Sequence, residues 1–464
     1  MGKLFGTDGI RGVANVELTC DLAFRVGQAA AMVLAGATGH RARFLIGKDT
    51  RISSDMIESA LAAGIVSVGA DAALIGVVPT PAVAHMTIKT GADAGIVISA
   101  SHNPMEFNGI KIFSDDGYKL SDALEEQIET ILFGSVAIPL KTGAEVGRIA
   151  RWEVGMKEYC NDIKYTAQNN LNGLKLLIDC ANGAAYQTAK EIFPALYADC
   201  TFIHDKPDGV NINRGCGSTH LNSLRELMRS GEFDVGIAFD GDADRCIAVD
   251  ETGEVIDGDQ IMALCAADLK ERGELDGDAF VATVMSNLGL HRFAEEHGIS
   301  IATSPVGDRN VLNLMQAEDY ILGGEQSGHV IFKKFSTTGD GQLTAVQFLS
   351  LLKRRKMRAS ELRAEVPKFP QAVVNVDVAN ELKETVTEDR DVKAAIREVS
   401  EQLGDAGRIL VRPSGTEPIV RVMVEAEDSE QVKAIAEHVA DIIASAANAI
   451  ASGETAETGE EESV

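Results

Sequence analysis

The sequence predicts an α/β protein: three related α/β domains with mixed, mostly parallel sheets, followed by a smaller C-terminal α+β domain. Three observations carry this. A short apolar run, a small polar loop and an amphipathic helix recur in that order three times. The recurrences lie roughly a hundred residues apart, the spacing of compact domains. Beyond residue 370 the apolar residues alternate instead, which marks half-exposed strands.

The first unit opens on Phe44-Leu-Ile-Gly-Lys-Asp-Thr-Arg51, after which Ile57, Leu61, Ile65 and Val68 fall on one helix face. The second opens on Leu176-Leu-Ile-Asp-Cys-Ala-Asn-Gly183 and leads into a helix near 185–193. The third opens on Phe280-Val-Ala-Thr-Val-Met-Ser-Asn-Leu-Gly289, with a helix through Leu290 and Phe293. In each, continuous apolarity gives way to a 3.6-residue period, as expected where strands are buried on both faces. Residues 134–149, rich in glycine and polar groups, form the first boundary. Two prolines in Val366-Pro-Lys-Phe-Pro370 interrupt a helical pattern and form the last. Beyond it, Val373-Val-Asn-Val-Asp-Val378 and Ile419-Val-Arg-Val-Met-Val424 read as strands, and 429 to about 447 as a closing helix. The expected domains are 1–150, 151–252, 253–366 and 367–450, with 451–464 an acidic, disordered tail.

Composition narrows the function. The chain has 464 residues, 45% of them hydrophobic and 24% charged, too many for one core. No apolar run approaches the ~18 residues of a membrane helix, and the start lacks the h-region of a signal peptide. Seven cysteines are scattered without a CxxC pair, which favours free thiols and a cytoplasmic location. A net charge of −27 argues against nucleic acid as a partner. An acidic enzyme for anionic substrates must gather its lysines and arginines in one cleft.

Four loops could build such a site. In Ala94-Gly-Ile-Val-Ile-Ser-Ala-Ser-His-Asn-Pro104 a buried strand delivers Ser101 into a loop, where ligand groups of α/β sheets collect. Ser101 could be a nucleophile assisted by His102 or Lys111. In the second loop, Asp240, Asp242 and Asp244 alternate between two apolar strands. Carboxylates this close repel unless a hard divalent ion such as Mg²⁺ binds them. An EF-hand is excluded, because Arg245 stands where its sharp turn needs glycine and strands flank the loop. In Gly323-Gly-Glu-Gln-Ser-Gly-His329, extended backbone would put Glu325, Ser327 and His329 on one side, suited to sugar hydroxyls. In Arg412-Pro-Ser-Gly-Thr-Glu-Pro-Ile-Val-Arg421, small residues, hydroxyls and two arginines read as a phosphate clamp. No nucleotide-binding glycine motif accompanies it.

These four loops, in this order, resemble the α-D-phosphohexomutase superfamily over nearly the whole chain to about residue 450. Three further stretches, Phe5-Gly-Thr-Asp-Gly-Ile-Arg-Gly12, Val306-Gly-Asp-Arg309 and Thr337-Thr-Gly-Asp-Gly341, are most similar to the bacterial members that act on glucosamine phosphates. The resemblance implies four domains around a central cleft and a phosphorylated Ser101 that exchanges its phosphoryl group with a hexosamine phosphate. A sugar 1,6-bisphosphate would serve as intermediate and activator. It implies one Mg²⁺ per subunit on Ser101, Asp240, Asp242 and Asp244, with Arg11 and Arg245 assisting and Lys111, His102 or His329 moving protons. Gly307, Asp308, Glu325 and Ser327 would read the sugar, and Arg412, Ser414, Gly415, Thr416 and Arg421 the distal phosphate. A homodimer is the implied assembly, with no membrane or nucleic-acid partner. Within the superfamily a glucose or mannose phosphate is the rival substrate. A serine phosphatase and an inactive sugar-phosphate sensor are the rivals outside it.

Overall fold

The computed structural model describes residues 4–6, 8–35, 40–152, 154–414 and 418–452. They form two compact units, Met1–Ser286 with Phe293–Val366, and Asn287–Arg292 with Pro367–Val464. Residues 453–464 of the predicted acidic tail and the clamp residues Gly415 and Thr416 lie outside the described residues, while Ala451 and Ser452, expected in the disordered tail, end a helix.

The first unit holds three sheets. One joins β1 (Ile10–Val13), β2 (Arg43–Lys48), β3 (Asp71–Val77), β4 (Ala94–Ile98), β5 (Phe107–Ser114) and β6 (Ile149–Arg151) in the order β1-β5-β4-β2-β3-β6. The next joins β7 (Lys175–Asp179), β8 (Asp199–Ile203), β9 (Val235–Phe239), β10 (Cys246–Asp250) and β11 (Val255–Ile256) as β11-β10-β9-β7-β8. The third joins β12 (Ala279–Thr283), β13 (Ser300–Ser304), β14 (Leu322–Gly324) and β15 (Val330–Phe332) as β13-β12-β14-β15.

One plan underlies all three. A first strand pairs in parallel with the second on one side and the third on the other, and a fourth returns antiparallel beside the third. The sets are β2-β3-β4-β5, β7-β8-β9-β10 and β12-β13-β14-β15. Each sheet is therefore mixed, and in each the turn from third to fourth strand leaves the carboxyl end of the parallel strands. Those turns are the Ser101, Asp240 and Glu325 loops. Strands β4, β9 and β12 are buried along their whole length, which is why the sequence shows them as unbroken apolar runs.

Close helix packing fixes the first sheet's outer layer. Thr19 caps the helix Cys20–Leu34 by accepting from the Leu22 N–H at 3.2 Å. This helix lies on Ile52–Ser67, whose Ile57, Leu61 and Ile65 face Phe44, Ile46, Ile96 and Ile98 in one core. The helix backbones touch: a Cβ on Gly64 would sit 2.0 Å from Phe24 O, and one on Gly27 2.3 Å from Leu61 O.

The second unit is built on an antiparallel sheet of β16 (Gln371–Asp377), β17 (Gly407–Pro413) and β18 (Ile419–Ala426), in the order β16-β18-β17. The helices Arg390–Leu403 and Ser429–Ser452 supply Val392, Val399, Val432, Ile435, Val439 and Ile443 to a core with Val420, Val422 and Val424. Strand β17 is an addition to the sequence prediction. All seven of its residues are half-buried, so no alternation marks it. The closing helix runs further than predicted and, by length and composition alone, is apolar enough to cross a membrane. This corrects the expectation that no such run exists: after Ile435 the helix is rich in alanine and carries only Glu437 and Asp441 as formal charges. Its apolar face packs on the sheet.

A methyl group on residue 64 must push the two helices apart. Gly64→Ala is expected to cost about 1–3 kcal/mol through overpacking and to lower the melting temperature in a calorimetric scan. An unchanged melting temperature would contradict the backbone contact.

Candidate active site

Strand β4 ends at Ile98 and places Ser101 in a left-handed turn, φ +50°, rare for a residue with a side chain. Its Oγ donates to Asp240 Oδ2 at 2.6 Å, across 139 residues of sequence. His102 Nδ1 lies 3.4 Å from the same Oγ. Burial, with Arg245 and Arg11 nearby, pushes the His102 pKa down to about 4. Its imidazole is neutral near pH 7 and has a lone pair to offer.

The Asp240 loop is the β9–β10 turn, and its three carboxylates are buried. Each offers an oxygen within 4.8 Å of the others. Thr80 holds Asp242 twice, through Oγ1 to Oδ2 at 2.6 Å and N–H to the backbone oxygen at 2.9 Å. Lys111 Nζ lies 2.8 Å from Asp242, 3.2 Å from Asp8 and 3.5 Å from Asp244. Arg245 donates its backbone N–H to Asp240 Oδ1 at 3.2 Å and brings Nε 3.8 Å from Asp244. Burial, then Asp244 and Asp242, pushes Asp240 well above the usual carboxylate range. Burial alone would also raise Asp244, but Lys111, His329 and Arg245 outweigh it and hold Asp244 low. Two carboxylate oxygens, Asp242 Oδ1 and Asp244 Oδ1, are buried with no hydrogen-bond partner. Orphaned anionic oxygens converging in one place fit a hard divalent cation.

The Glu325 loop departs from the predicted geometry. The Gly328 N–H donates to Glu325 O and the Glu325 N–H to His329 O, both at 3.0 Å. This closes a tight turn between β14 and β15 in place of an extended segment, with Gly328 at φ +92°. Glu325, Ser327 and His329 therefore do not share one side of a strand. Glu325 Oε1 accepts from the Gly307 N–H at 3.1 Å, and Ser327 Oγ is buried with no partner. His329 turns toward the acidic loop, with Nδ1 3.6 Å from Asp244 and Nε2 3.8 Å from Asp308. The Gly339 N–H donates to Nε2 at 3.1 Å, so the ring proton sits on Nδ1. A cavity of ≈ 260 Å³ adjoins these groups, lined by Lys119, Asp308, Arg309, His329, Thr337 and Thr338 among others.

Ser101, His102, Lys111, Asp240, Asp242, Asp244, Arg245 and His329 thus form one contiguous cluster, joined through Asp8 to Arg11. Gly307, Asp308, Glu325 and Ser327 border it. Arg412, Ser414 and Arg421 belong to the second unit, where Arg412 and Arg421 stand directly opposite on β17 and β18. Burial, then Arg421, lowers the Arg412 pKa, as expected of two like charges held side by side. One other described group, Asp179, His204 and Cys216, brings metal-binding atom types together. There Asp179 already takes the Ala181 and Gly217 N–H groups at 2.8 and 2.9 Å and His204 at 3.0 Å, and acts as a brace.

Four domain models of one family match most of the chain. Phosphoglucomutase/phosphomannomutase alpha/beta/alpha domain I matches residues 2–136, domain II 157–253, domain III 257–369 and the C-terminal domain 373–442. The chain belongs to the phosphoglucomutase/phosphomannomutase family. Among members of this family, the phosphoglucosamine mutase of Acetivibrio thermocellus is 52% identical over 434 residues, covering 93% of this chain and 97% of that one. That of Clostridium acetobutylicum is 50% identical and covers 97% and 100%. A solved phosphoglucomutase/phosphomannomutase family protein from Burkholderia thailandensis superposes with a TM-score of 0.80 at 24% identity, covering 96% and 97%. The N-acetylphosphoglucosamine mutase of Aspergillus fumigatus, solved with GlcNAc-6P and magnesium, gives 0.68 at 17%, covering 96% of each chain. At these identities the two structures speak for the family fold.

Several partners escaped the sequence reading: Asp8, Arg51, Thr80, Lys119 and Asn213. Burial would raise Asp8, but Lys111, Lys119 and Arg11 outweigh it and hold it well below the usual range. Of these Arg51 carried a local signal, since it follows closely on β2, where α/β sheets place functional groups, and Asp8 lies in the Phe5–Gly12 stretch. For the acidic loop, calorimetric titration with Mg²⁺ should show one site per chain. Asp242→Asn should weaken it by about tenfold or more, because one hard anionic ligand is lost. Equal affinity in the variant would exclude Asp242 as a ligand.

Proposed function

We propose that this chain is a phosphoglucosamine mutase, an isomerase-class phosphotransferase that interconverts glucosamine 6-phosphate and glucosamine 1-phosphate. The observation that carries the mutase chemistry is Ser101 Oγ resting on Asp240 within a cluster where Asp242 Oδ1 and Asp244 Oδ1 are buried without a hydrogen bond. The choice of glucosamine is supported by about 50% identity to phosphoglucosamine mutases over nearly the whole chain.

In the proposed cycle, phosphorylated Ser101 passes its phosphoryl group to the free hydroxyl of the sugar monophosphate. The Oγ–P bond breaks, a P–O bond to the sugar forms, and the hydroxyl proton passes through a base to the departing Ser101 Oγ. His102 suits that role, being neutral and 3.4 Å from Oγ. Lys111 is saturated by three carboxylates, and His329 Nε2 already accepts a backbone N–H. The sugar 1,6-bisphosphate then reorients, and Ser101 takes back the other phosphoryl group. A Mg²⁺ ion held by Asp240, Asp242, Asp244 and a phosphate oxygen on Ser101 would neutralise charge on the transferring group. Arg245 and Arg11, beside the same loop, add positive charge there. Glu325 and Ser327 read the ring, together with Gly307 and Asp308. Arg412, Ser414, Gly415, Thr416 and Arg421 hold the phosphate that is not reacting. We assign these roles to four domains, 1–150, 151–252, 253–366 and 367–450, a division supported by the one-loop-per-sheet plan. Seven unpaired cysteines support a reducing, cytoplasmic setting, and a homodimer is the proposed assembly.

The test is catalytic efficiency for the phosphates of glucosamine, glucose and mannose. Glucosamine phosphate should be best. Arg421→Ala should lower kcat/KM about ten- to a hundredfold for all three, since all share the phosphate. Glu325→Gln should instead reorder the sugars. A wild-type preference for glucose or mannose would overturn the glucosamine assignment, and a fully active Arg421→Ala enzyme the clamp.

A further inference from the structure

The proposed cycle leaves one deeply buried cation without a role. Arg51 is the largest fully buried side chain among the described residues. It follows β2 and sits just before the helix Ile52–Ser67. A guanidinium has five N–H donors in a fixed plane, and here all five are used. Nε donates to Asp49 Oδ2 at 2.9 Å. Nη1 donates to Pro104 O at 2.5 Å and Phe107 O at 3.0 Å. Nη2 donates to Ser101 O at 2.9 Å and Asn103 O at 2.8 Å. Four of the five acceptors are backbone carbonyls, three in the loop that carries Ser101 and one, Phe107, at the start of β5.

The rest of the loop is held with the same care. Asp49 Oδ2 also accepts from Ser99 Oγ at 2.6 Å, and Ser99 Oγ accepts the Ser101 N–H at 3.0 Å. From the second sheet's loops, Asn213 Nδ2 donates to Ser101 O at 2.8 Å and Asn103 O at 3.1 Å. Both backbone groups of Ser101 are thus tied down while its φ is +50°. A left-handed non-glycine residue persists only where its surroundings over-determine it. This one is over-determined by Arg51.

We infer that Arg51 is the positioning residue for the phosphoryl carrier: its guanidinium imposes the turn that aims Ser101 Oγ at the Asp240 loop. The inference rests on the proposed phosphoserine cycle. Arg51 is sealed from substrate and acts only through the loop, so it should govern the transfer step and leave sugar binding alone. Lysine keeps the charge but has three donors and no fork, so Arg51→Lys would leave carbonyls of the loop unmet.

The test uses the full chain as wild type, Arg51→Lys and Ser99→Ala, the latter removing a single hydroxyl from the same network. Arg51→Lys should lower kcat for glucosamine 6-phosphate about a hundredfold, the loss typical of an ångström-scale misplacement, with KM close to wild type. Backbone deuterium uptake should rise in residues 101–107 and remain unchanged in the strands. Ser99→Ala should show the same pattern more weakly, which keeps the test open should Arg51→Lys fold poorly. An Arg51→Lys enzyme with wild-type kcat would overturn the inference. So would kcat and KM failing together with exchange rising throughout, since that is mere fold support, or a normal kcat in Ser99→Ala when Arg51→Lys does not fold. If wild type itself lacks mutase turnover, the functional assignment fails, and the local exchange of 101–107 still reports whether Arg51 holds the loop.

Discussion

Three carboxylates buried within 4.8 Å of one another are the constraint around which the first unit is arranged. Left alone, such a cluster would protonate or open, because repulsion and lost hydration both act against it. The fold answers with groups drawn from other elements. Lys111 comes from β5, Thr80 from the start of the helix Thr80–Thr90, His329 from the approach to β15 and the Ser101 hydroxyl from the β4–β5 turn. Asp8 binds Lys111 and Lys119 in turn and continues the alternation of charge outward. Even so, the oxygens Asp242 Oδ1 and Asp244 Oδ1 stay without a hydrogen bond. The site is built for charge still to arrive.

The repeated four-strand plan explains how separate stretches of chain meet there. Each sheet ends its parallel portion with an antiparallel return, and each return is a turn of small or polar residues at the same topological place. One turn carries Ser101, the next the three aspartates, and the third Glu325 and Ser327. The second unit repeats the theme in simpler form, with the Ser414 loop joining β17 to β18. Rigid strands on both sides limit the freedom of every turn, which suits a reaction in which positioning and electrostatics do most of the catalysis.

Much of this was legible in the chain itself. Ser101 and the three aspartates stand out because their neighbours are unbroken apolar strands, so the polar residues between them have to be loop tips. What stayed hidden is of two kinds. Thr80 on Asp242 and Asn213 on Ser101 join residues more than a hundred apart, and no local period reports them. The Glu325 loop misled for another reason: alternation of polar residues describes an extended segment and a hairpin turn equally well. The glycines at 324 and 328 favoured the turn, and Gly328 takes the positive φ that it needs. Strand β17 was obscured by its even half-burial, which erases the contrast between faces.

The account stands or falls on whether Ser101 carries the phosphoryl group that appears in product. Enzyme labelled with ³²P at Ser101 and mixed with unlabelled glucosamine 6-phosphate should lose its label to sugar bisphosphate and then to glucosamine 1-phosphate, within the time of a single turnover. Label that stays on the protein while product forms, or that leaves only as inorganic phosphate, would contradict it.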